Sequence, residues 1–304
     1  TEEARAEAEI LMEVRTQLIS PRYGLSVIGC VQDAISGLFT LTKQEALSRK
    51  FAIDLLAATG VENFSKLPKK ETVSGRDVVS VLLPDDFQFL GEKRFVRESA
   101  GGQDAEKKDI TVVIKDGKLV SGILDRKNLG EGSGLLLRTL HKGYGKEYSI
   151  DLLGKLFRLG IEVLLRLGFS VMISDTDLPD SAKQGIRETL QTASQEVDEL
   201  IALYHNNKLE TFPGRTIKET LELKILEVLN RARNKTGELV AQFADSNTPT
   251  LVMADSGARG NLLNLAQMAA CVGQQAMRGK RIEKGFKERT LSSFQKDDLS
   301  PPAR

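Results

Sequence analysis

The sequence predicts an α+β fold, in which a mixed region with β-hairpins is followed by a mostly helical region. The first observation is a pair of β-branched runs on either side of Asp116-Gly117, a dipeptide typical of type I′ hairpin turns. The second is a pair of apolar stripes at helical spacing on either side of Pro213-Gly214. These patterns place the strands before about residue 173 and a long helical hairpin after it.

Two helices are predicted near the start of the chain. Residues 2–18 carry apolar side chains at helical spacing, and the pattern stops before Pro21, which disfavours helix in the preceding residue. Thr42 and Glu45 then form a capping-box pattern, which predicts a second helix that runs through Leu56.

The next hundred residues favour short strands. An apolar run at 78–83 leads up to Pro84, and short β-type segments are predicted after it. Runs at 110–115 and 118–124 predict the two arms of the hairpin. The glycine-rich segment 130–134 lacks the Lys-Ser/Thr of a phosphate loop and is interpreted as a plain loop, although a nucleotide-binding loop is the alternative. Residues 148–167 return to a helical pattern.

The most regular pattern predicts two antiparallel helices within residues 181–243. A second capping box, Thr216 with Glu219, starts the return helix. Helices of roughly 25 residues at 1.5 Å per residue would extend about 35–40 Å. The predicted apolar stripes consist of Ile186, Leu190, Ala193, Val197, Leu200 and Tyr204 on the first helix, and Ile217, Leu221, Ile225, Val228 and Ala232 on the second.

Composition excludes several classes of protein. Of 304 residues, 40% are hydrophobic and 28% charged, which is typical of a soluble globular chain. The net charge is +1, so any contact with nucleic acid must be local. Cys30 and Cys271 are too few for a disulfide framework, and His141 and His205 too few for a His-based metal site. No apolar run approaches ~18 residues, so we expect a cytoplasmic protein without a membrane span.

The segment 255–261, Asp-Ser-Gly-Ala-Arg-Gly-Asn, is the strongest candidate for a binding site. Its glycines let backbone amides approach a ligand, and an apolar helical run begins directly after it at Leu262. Arg259 would add a permanent charge with a planar donor fork that suits phosphate. The alternative is a capped turn in which Arg259 pairs with a neighbouring carboxylate.

Two further segments near the C-terminus are unusual. Residues 264–275 mix amides with apolar and small side chains, which indicates either a half-buried helix or a helix that packs against other chains. Residues 279–291 form a basic, glycine-hinged loop, either a solvated face or a surface near phosphates.

The residues of a self-contained catalytic centre are missing. No Asp-x-Asp-x-Asp cluster for magnesium occurs, and Asp175-Thr176-Asp177, the nearest approach, is interpreted as a loop and cap before the helical hairpin. No activated nucleophile can be assembled. The chain alone is therefore predicted to be inactive as an enzyme.

Several motifs resemble the largest subunit of multisubunit DNA-directed RNA polymerase. Segments 253–261 (MADSGARGN), 264–275 (NLAQMAACVGQQ) and 279–282 (GKRI) resemble its funnel region, in an archaeal or eukaryotic form. Segments 18–24 (LISPRYG) and 32–38 (QDAISGL) resemble the part that follows the active-site motif in the archaeal A′ subunit. The resemblance covers essentially the whole chain in the family's order.

The resemblance implies domains and an architecture. Residues 1–174 correspond to the pore region and residues 175–304 to the funnel region of the secondary channel, through which nucleoside triphosphates enter. The hairpin at 181–243 matches the funnel helices. The family's aspartate loop that holds the catalytic magnesium, its bridge helix and its trigger loop have no counterpart here, so the chain is expected to be an internal segment.

The resemblance also implies site residues. Arg259 falls on the basic position that contacts the phosphates of the incoming nucleotide, and no catalytic or metal-binding residue is expected within this chain. The positions that match residues lining the channel or facing the bridge helix are Arg233, Leu263, Ala266, Gln267, Cys271, Val272, Gly273, Gln274 and Gln275.

The implied partners are other polymerase subunits, nucleoside triphosphates, a transcript-cleavage factor, and DNA and RNA in the assembled complex. Magnesium would be bound in the intact enzyme by residues outside the chain. Two alternatives remain at this point: a self-standing interaction module that uses the helical hairpin as a docking arm, and a nucleotide-dependent enzyme built on residues 130–134.

Overall fold

Helices dominate the chain, and short antiparallel strands occur only before residue 122 in the described residues, which confirms the predicted α+β fold. A computed structural model describes residues 1–97, 107–283 and 285–304. The helices are α1 (Glu2–Ile10), α2 (Asp33–Lys43), α3 (Arg49–Ala58), α4 (Gly75–Leu82), α5 (Arg126–Leu129), α6 (Leu135–Leu167), α7 (Asp180–His205), α8 (Ile217–Phe243), α9 (Pro249–Ser256) and α10 (Leu262–Ala269).

The strands pair locally and antiparallel. They are β1 (Leu47–Ser48), β2 (Thr72–Val73), β3 (Phe89–Leu90), β4 (Phe95–Arg97), β5 (Lys107–Asp109), β6 (Val113–Lys115) and β7 (Lys118–Ser121). β1 pairs with β2, β4 pairs with β5, and β6 lies between β3 and β7. The predicted hairpin is confirmed as β6–β7, with positive φ angles of 48° at Asp116 and 66° at Gly117, as a type I′ turn requires.

Two local predictions were wrong, and one helix was not predicted. Helix α1 ends at Ile10, before the predicted residue 18, and it buries none of its residues. Thr42 does not cap a helix, because it lies inside α2 and its hydroxyl donates to the Leu38 carbonyl, 2.7 Å away. The helix at residues 75–82 was not predicted, although Ser74 and Asp77 make a capping box at its start.

The chain forms two compact units. The first contains residues 1–97, 107–172 and 246–261, and the second contains residues 173–245 and 262–304. The pore and funnel domains expected at 1–174 and 175–304 remain a prediction. The compact units differ from them because residues 246–261 pack with the first unit.

Helix packing builds the core of the first unit. α6, which is interrupted at Gly145 (φ 79°), packs against α2, α3, α4 and α5. α9 packs against α2, and Val252 joins a small apolar cluster with Phe39, Ile110 and Ile123. This packing holds the start of the 255–261 segment against the first unit.

The second unit is organised by the predicted helical hairpin. α7 and α8 pack together along the expected stripes, and the Thr216–Glu219 capping box is present at the start of α8. Leu190 departs from the prediction, since 37% of its surface is exposed. The buried residues of the hairpin core are Ala193, Val197, Leu209, Leu221, Ile225, Val228 and Ala232.

Candidate functional site

The turn that carries Arg259 is fixed by its backbone. Helix α9 ends at Gly257, whose φ of 73° is left-handed, and the Gly257 N–H donates to the Ala254 carbonyl. The Arg259 N–H donates to the Met253 carbonyl at 3.2 Å, and the Ala258 N–H donates to the Ser256 hydroxyl at 3.3 Å. The position of the Arg259 backbone therefore follows directly from the end of α9.

Arg259 lines a cleft of about 440 Å³ within the first unit. One wall is Gly257 and Ala258, and the others come from residues 30–32 with Ile35 and from Arg126 with Glu131. Two guanidinium groups and one carboxylate therefore share the cleft. This excess of positive charge suits an anion.

The alternative role for Arg259, pairing with a carboxylate, is not found. The side chain is exposed, and Glu131, the carboxylate that lines its cleft, pairs with Arg126. An arginine with all five N–H donors available can bind phosphate in a bidentate manner.

Arg126 was missed by the sequence analysis. It is the first residue of α5, and its stem packs on the opposite side of the turn, since a Cβ added to Gly257 would lie 3.1 Å from the Arg126 Cβ. Its guanidinium is 3.1 Å from the Glu131 carboxylate. Arg126 and Arg259 are 133 positions apart in the chain, and no local sequence pattern signals a contact at that separation.

A buried ion pair supports this arrangement. Asp125 caps α5, accepts hydrogen bonds from the backbone N–H and side-chain amide of Asn128, and pairs with Arg94. Burial lowers the pKa of Arg94, while the charges of Asp255 and Glu92 oppose that shift. Arg94 thus interacts with the residue before Arg126 and with a residue in the last turn of α9.

Gln32 contributes backbone strain to the same cleft. It precedes α2 with φ 46° and ψ −115°, a region that residues other than glycine rarely adopt, and its side chain makes no capping hydrogen bond. The first amides of α2 are therefore left without a side-chain acceptor at residue 32.

A second group of predicted residues meets in the second unit. Arg233, Cys271, Gly273, Gln274 and Gln275 line a hollow of about 410 Å³ between the helical hairpin and the C-terminal segment. Gly273 has φ 77° and lies on the Arg233 stem, so that an added Cβ would fall 2.7 Å from the Arg233 Cδ. The Gln274 amide donates to the Arg304 carbonyl at 2.8 Å. The Gln274 side chain therefore satisfies a backbone carbonyl of the C-terminal segment.

Helix α10 is shorter than the helix that the sequence indicates at 264–275. It ends at Ala269, and residues 271–276 have no regular secondary structure. Ala266 is buried near Gly237 of α8, whereas Leu263 and Val272 are 47% and 57% exposed. The Gln267 side-chain amide donates to the Val272 carbonyl at 3.4 Å, so the chain after α10 folds back toward the helix.

The basic loop at 279–291 is only partly a solvated face. The Arg281 side chain is fully buried and pairs with Glu222 at 2.8 Å, and Arg304 pairs with the same carboxylate at 3.2 Å. Lys284, which belongs to the predicted basic loop, lies outside the described residues.

Neither a metal-ligating group nor a membrane-spanning helix is found among the described residues. The described residues contain no group of three or more His, Cys, Asp or Glu side chains arranged to hold a metal ion. Among the helices described, none combines the length and apolar character needed to cross a bilayer.

Comparison with known proteins identifies similar chains. The family model for RNA polymerase Rpb1, domain 3, matches residues 17–176, and the model for RNA polymerase Rpb1, domain 4, matches residues 201–304. The first match alone covers more than half of the 304 residues.

Curated relatives from archaea match the full length of the chain. Each is named DNA-directed RNA polymerase subunit Rpo1N. The protein of Methanothermobacter thermautotrophicus (strain Delta H) is 38% identical over 100% of this chain, that of Halobacterium salinarum (strain R1) 39% over 99%, and that of Thermococcus celer 36% over 100%. These alignments cover 35%, 30% and 36% of the relatives, so the chain spans about a third of their length.

Proposed function

The chain belongs to the RNA polymerase Rpb1 family, and from this membership we propose that it forms the pore and funnel of the channel through which nucleotides enter a DNA-directed RNA polymerase. The helical hairpin of α7 and α8 would be the funnel, and the first unit would be the wall of the pore. The partners would be other polymerase subunits, nucleoside triphosphates, a transcript-cleavage factor, and DNA and RNA in the assembled complex.

The exposed guanidinium of Arg259 supports this proposal most directly. It lines a cleft, the carboxylate of that cleft pairs with Arg126, and the Gly257 turn fixes its backbone. Arg259 would donate charge-assisted hydrogen bonds to the phosphates of an incoming nucleotide. Its contribution to the reaction would be binding and orientation, because a guanidinium keeps its proton at every physiological pH and acts through charge and hydrogen bonds.

The intact enzyme would join an RNA 3′-hydroxyl to the α-phosphate of a nucleotide and release pyrophosphate. Magnesium, bound by residues outside this chain, would supply the electrophilic chemistry when present. The described residues would exclude bulk water from the channel wall and hold the triphosphate. The isolated chain would make no RNA.

The residues around the second hollow would face the bridge helix of the enzyme. The partly exposed apolar side chains of Leu263 and Val272 support this, because an apolar surface is suited to packing against another segment. Arg233 lies under the same segment, and its Nε atom is buried without a hydrogen-bond acceptor among the described residues.

Steady-state kinetics of the assembled polymerase test the role of Arg259. We expect Arg259→Ala to raise the nucleotide KM or lower kcat/KM about ten-fold, which corresponds to the loss of a charged hydrogen bond. Arg259→Lys keeps the charge but loses the planar donor fork, and its kcat/KM should lie between those of the parent enzyme and Arg259→Ala. Unchanged constants in Arg259→Ala over the whole nucleotide range would exclude the proposed contact.

A further inference from the structure

Arg126 is the second guanidinium of the cleft and is not assigned a role by the family resemblance. Its only charged partner among the described residues is Glu131, and both side chains are about half exposed, 51% and 54%. Ion pairs with this exposure are weak, so the guanidinium can exchange its carboxylate for another anion at small cost.

The rest of Arg126 is held in place. Its stem lies against Gly257 and Gly130, where an added Cβ would fall 2.4 Å from the Arg126 Cγ. The preceding residue, Asp125, is buried and locked to Arg94 and Asn128. The backbone and stem are therefore rigid, and the freedom of Arg126 is confined to its terminal group.

The remaining wall of the cleft is also suited to an anion. The uncapped start of α2 at Gln32 directs the positive end of a helix of 11 residues toward the cleft. Arg126 and Arg259 approach from two different segments, which matches a ligand with more than one phosphoryl group better than a single phosphate.

We propose that Arg126 is a second phosphate-binding residue of the Arg259 cleft, which releases Glu131 when a linear oligophosphate binds. The ligand class is a di- or triphosphate, whether inorganic or part of a nucleotide. The assignment to nucleotides rests on the function proposed above, whereas the oligophosphate site itself does not.

Calorimetric titration of the assembled polymerase with inorganic tripolyphosphate, at fixed free magnesium, tests the proposal. Arg126→Met keeps the stem and removes the charge, and should weaken binding about ten-fold. Glu131→Gln removes the competing carboxylate and should tighten binding about two- to five-fold, a gain that misfolding cannot produce. In the double variant Arg126→Met/Glu131→Gln, the tighter binding caused by Glu131→Gln should disappear.

The exposed pair Arg15–Glu147 provides a matched control, because its side chains are similarly exposed, 53% and 61%, and do not line the cleft. Arg15→Met and Glu147→Gln should leave tripolyphosphate binding unchanged. The nucleotide KM is then measured for the Arg126, Glu131 and Arg259 variants. A KM that changes in parallel with tripolyphosphate affinity indicates a nucleotide ligand, and an unchanged KM indicates an inorganic one.

The outcomes distinguish this inference from the proposed function. If Arg126→Met and Glu131→Gln leave tripolyphosphate binding unchanged while Arg259→Ala raises the nucleotide KM, the second ligand is excluded and the proposed function stands. If tripolyphosphate binding follows Arg126 and Glu131 while Arg259→Ala leaves the nucleotide KM unchanged, the oligophosphate site is supported and the nucleotide contact proposed for Arg259 is wrong.

Discussion

The backbone of Gly37 in α2 lies directly against the backbone of Gly160 in α6. A Cβ added to Gly37 would fall 1.9 Å from the Gly160 carbonyl oxygen, and one added to Gly160 would fall 2.2 Å from the carbonyl oxygen of Ala34. No side chain separates the two helices at this point. The glycines therefore set the helix spacing in the core of the first unit.

Substitution at this contact should be costly. Gly37→Ala should lower the free energy of unfolding of the 304-residue chain by at least about 2 kcal/mol, because a backbone must move to admit the methyl group. Urea denaturation measures this change. Gly154→Ala is the matched control on α6, since its Cβ would meet nothing within 4 Å, and it should raise stability by about 0.5–1 kcal/mol. Equal effects of the two substitutions would contradict the close contact.

The two cysteines should react very differently. Cys30 is fully buried, and burial raises the pKa of its thiol to about 12, so roughly one molecule in ten thousand carries the thiolate at pH 8. Cys271 is partly exposed. Iodoacetamide at pH 8 should therefore alkylate Cys271 in the folded chain and leave Cys30 intact, as judged by peptide mass mapping. Comparable rates at both positions would show that Cys30 is accessible, and urea should restore its reactivity.

The largely buried carboxylate of Glu222 pairs with two arginines, Arg281 and Arg304. Glu222→Gln should lower the free energy of unfolding by about 3–5 kcal/mol, because it leaves the buried Arg281 charge without compensation. Glu196→Gln is the control, since it breaks the exposed Arg231–Glu196 pair and should cost no more than about 1 kcal/mol. Similar losses in both variants would mean that Arg281 is hydrated.

The capping box of α8 should make stability depend on pH. The pKa of Glu219 lies below its ordinary value, chiefly because its carboxylate accepts a hydrogen bond from the Thr216 backbone N–H and also one from the Thr216 hydroxyl. A lowered pKa stabilises the fold fully above the ordinary value, and this contribution disappears as the pH falls through the lowered one. Thermal unfolding of the parent chain and of Glu219→Gln should therefore converge at low pH. A constant difference at every pH would exclude this linkage.

Elements that are specified by a long regular pattern or by a distinctive turn dipeptide were predictable from the sequence. The α7–α8 hairpin has apolar stripes of six and five residues, and the Asp116-Gly117 turn requires only its two residues. The helix at 75–82 was not predicted, because the β-branched side chains of the run at 78–83 also suit a strand, while its buried face fits one side of a short capped helix. Tertiary packing decided the outcome there.

The candidate site was only half predictable. Arg259 follows a glycine turn that marks its own position in the sequence, whereas Arg126 belongs to a short helix with no unusual pattern. Its role depends on Gly257 lying against its stem, a contact that only the tertiary structure creates. Residues that meet through close backbone packing leave no periodic trace in either segment.

The return of residues 246–261 to the first unit has a consequence for how the protein is made. Synthesis from the N-terminus produces residues 1–172 first, and then all of the helical hairpin, before α9 and the Arg259 turn emerge. Until then, α2 has no α9 to pack against, and the cleft has no wall at 257–259. The first unit can therefore finish folding only after most of the second has left the ribosome.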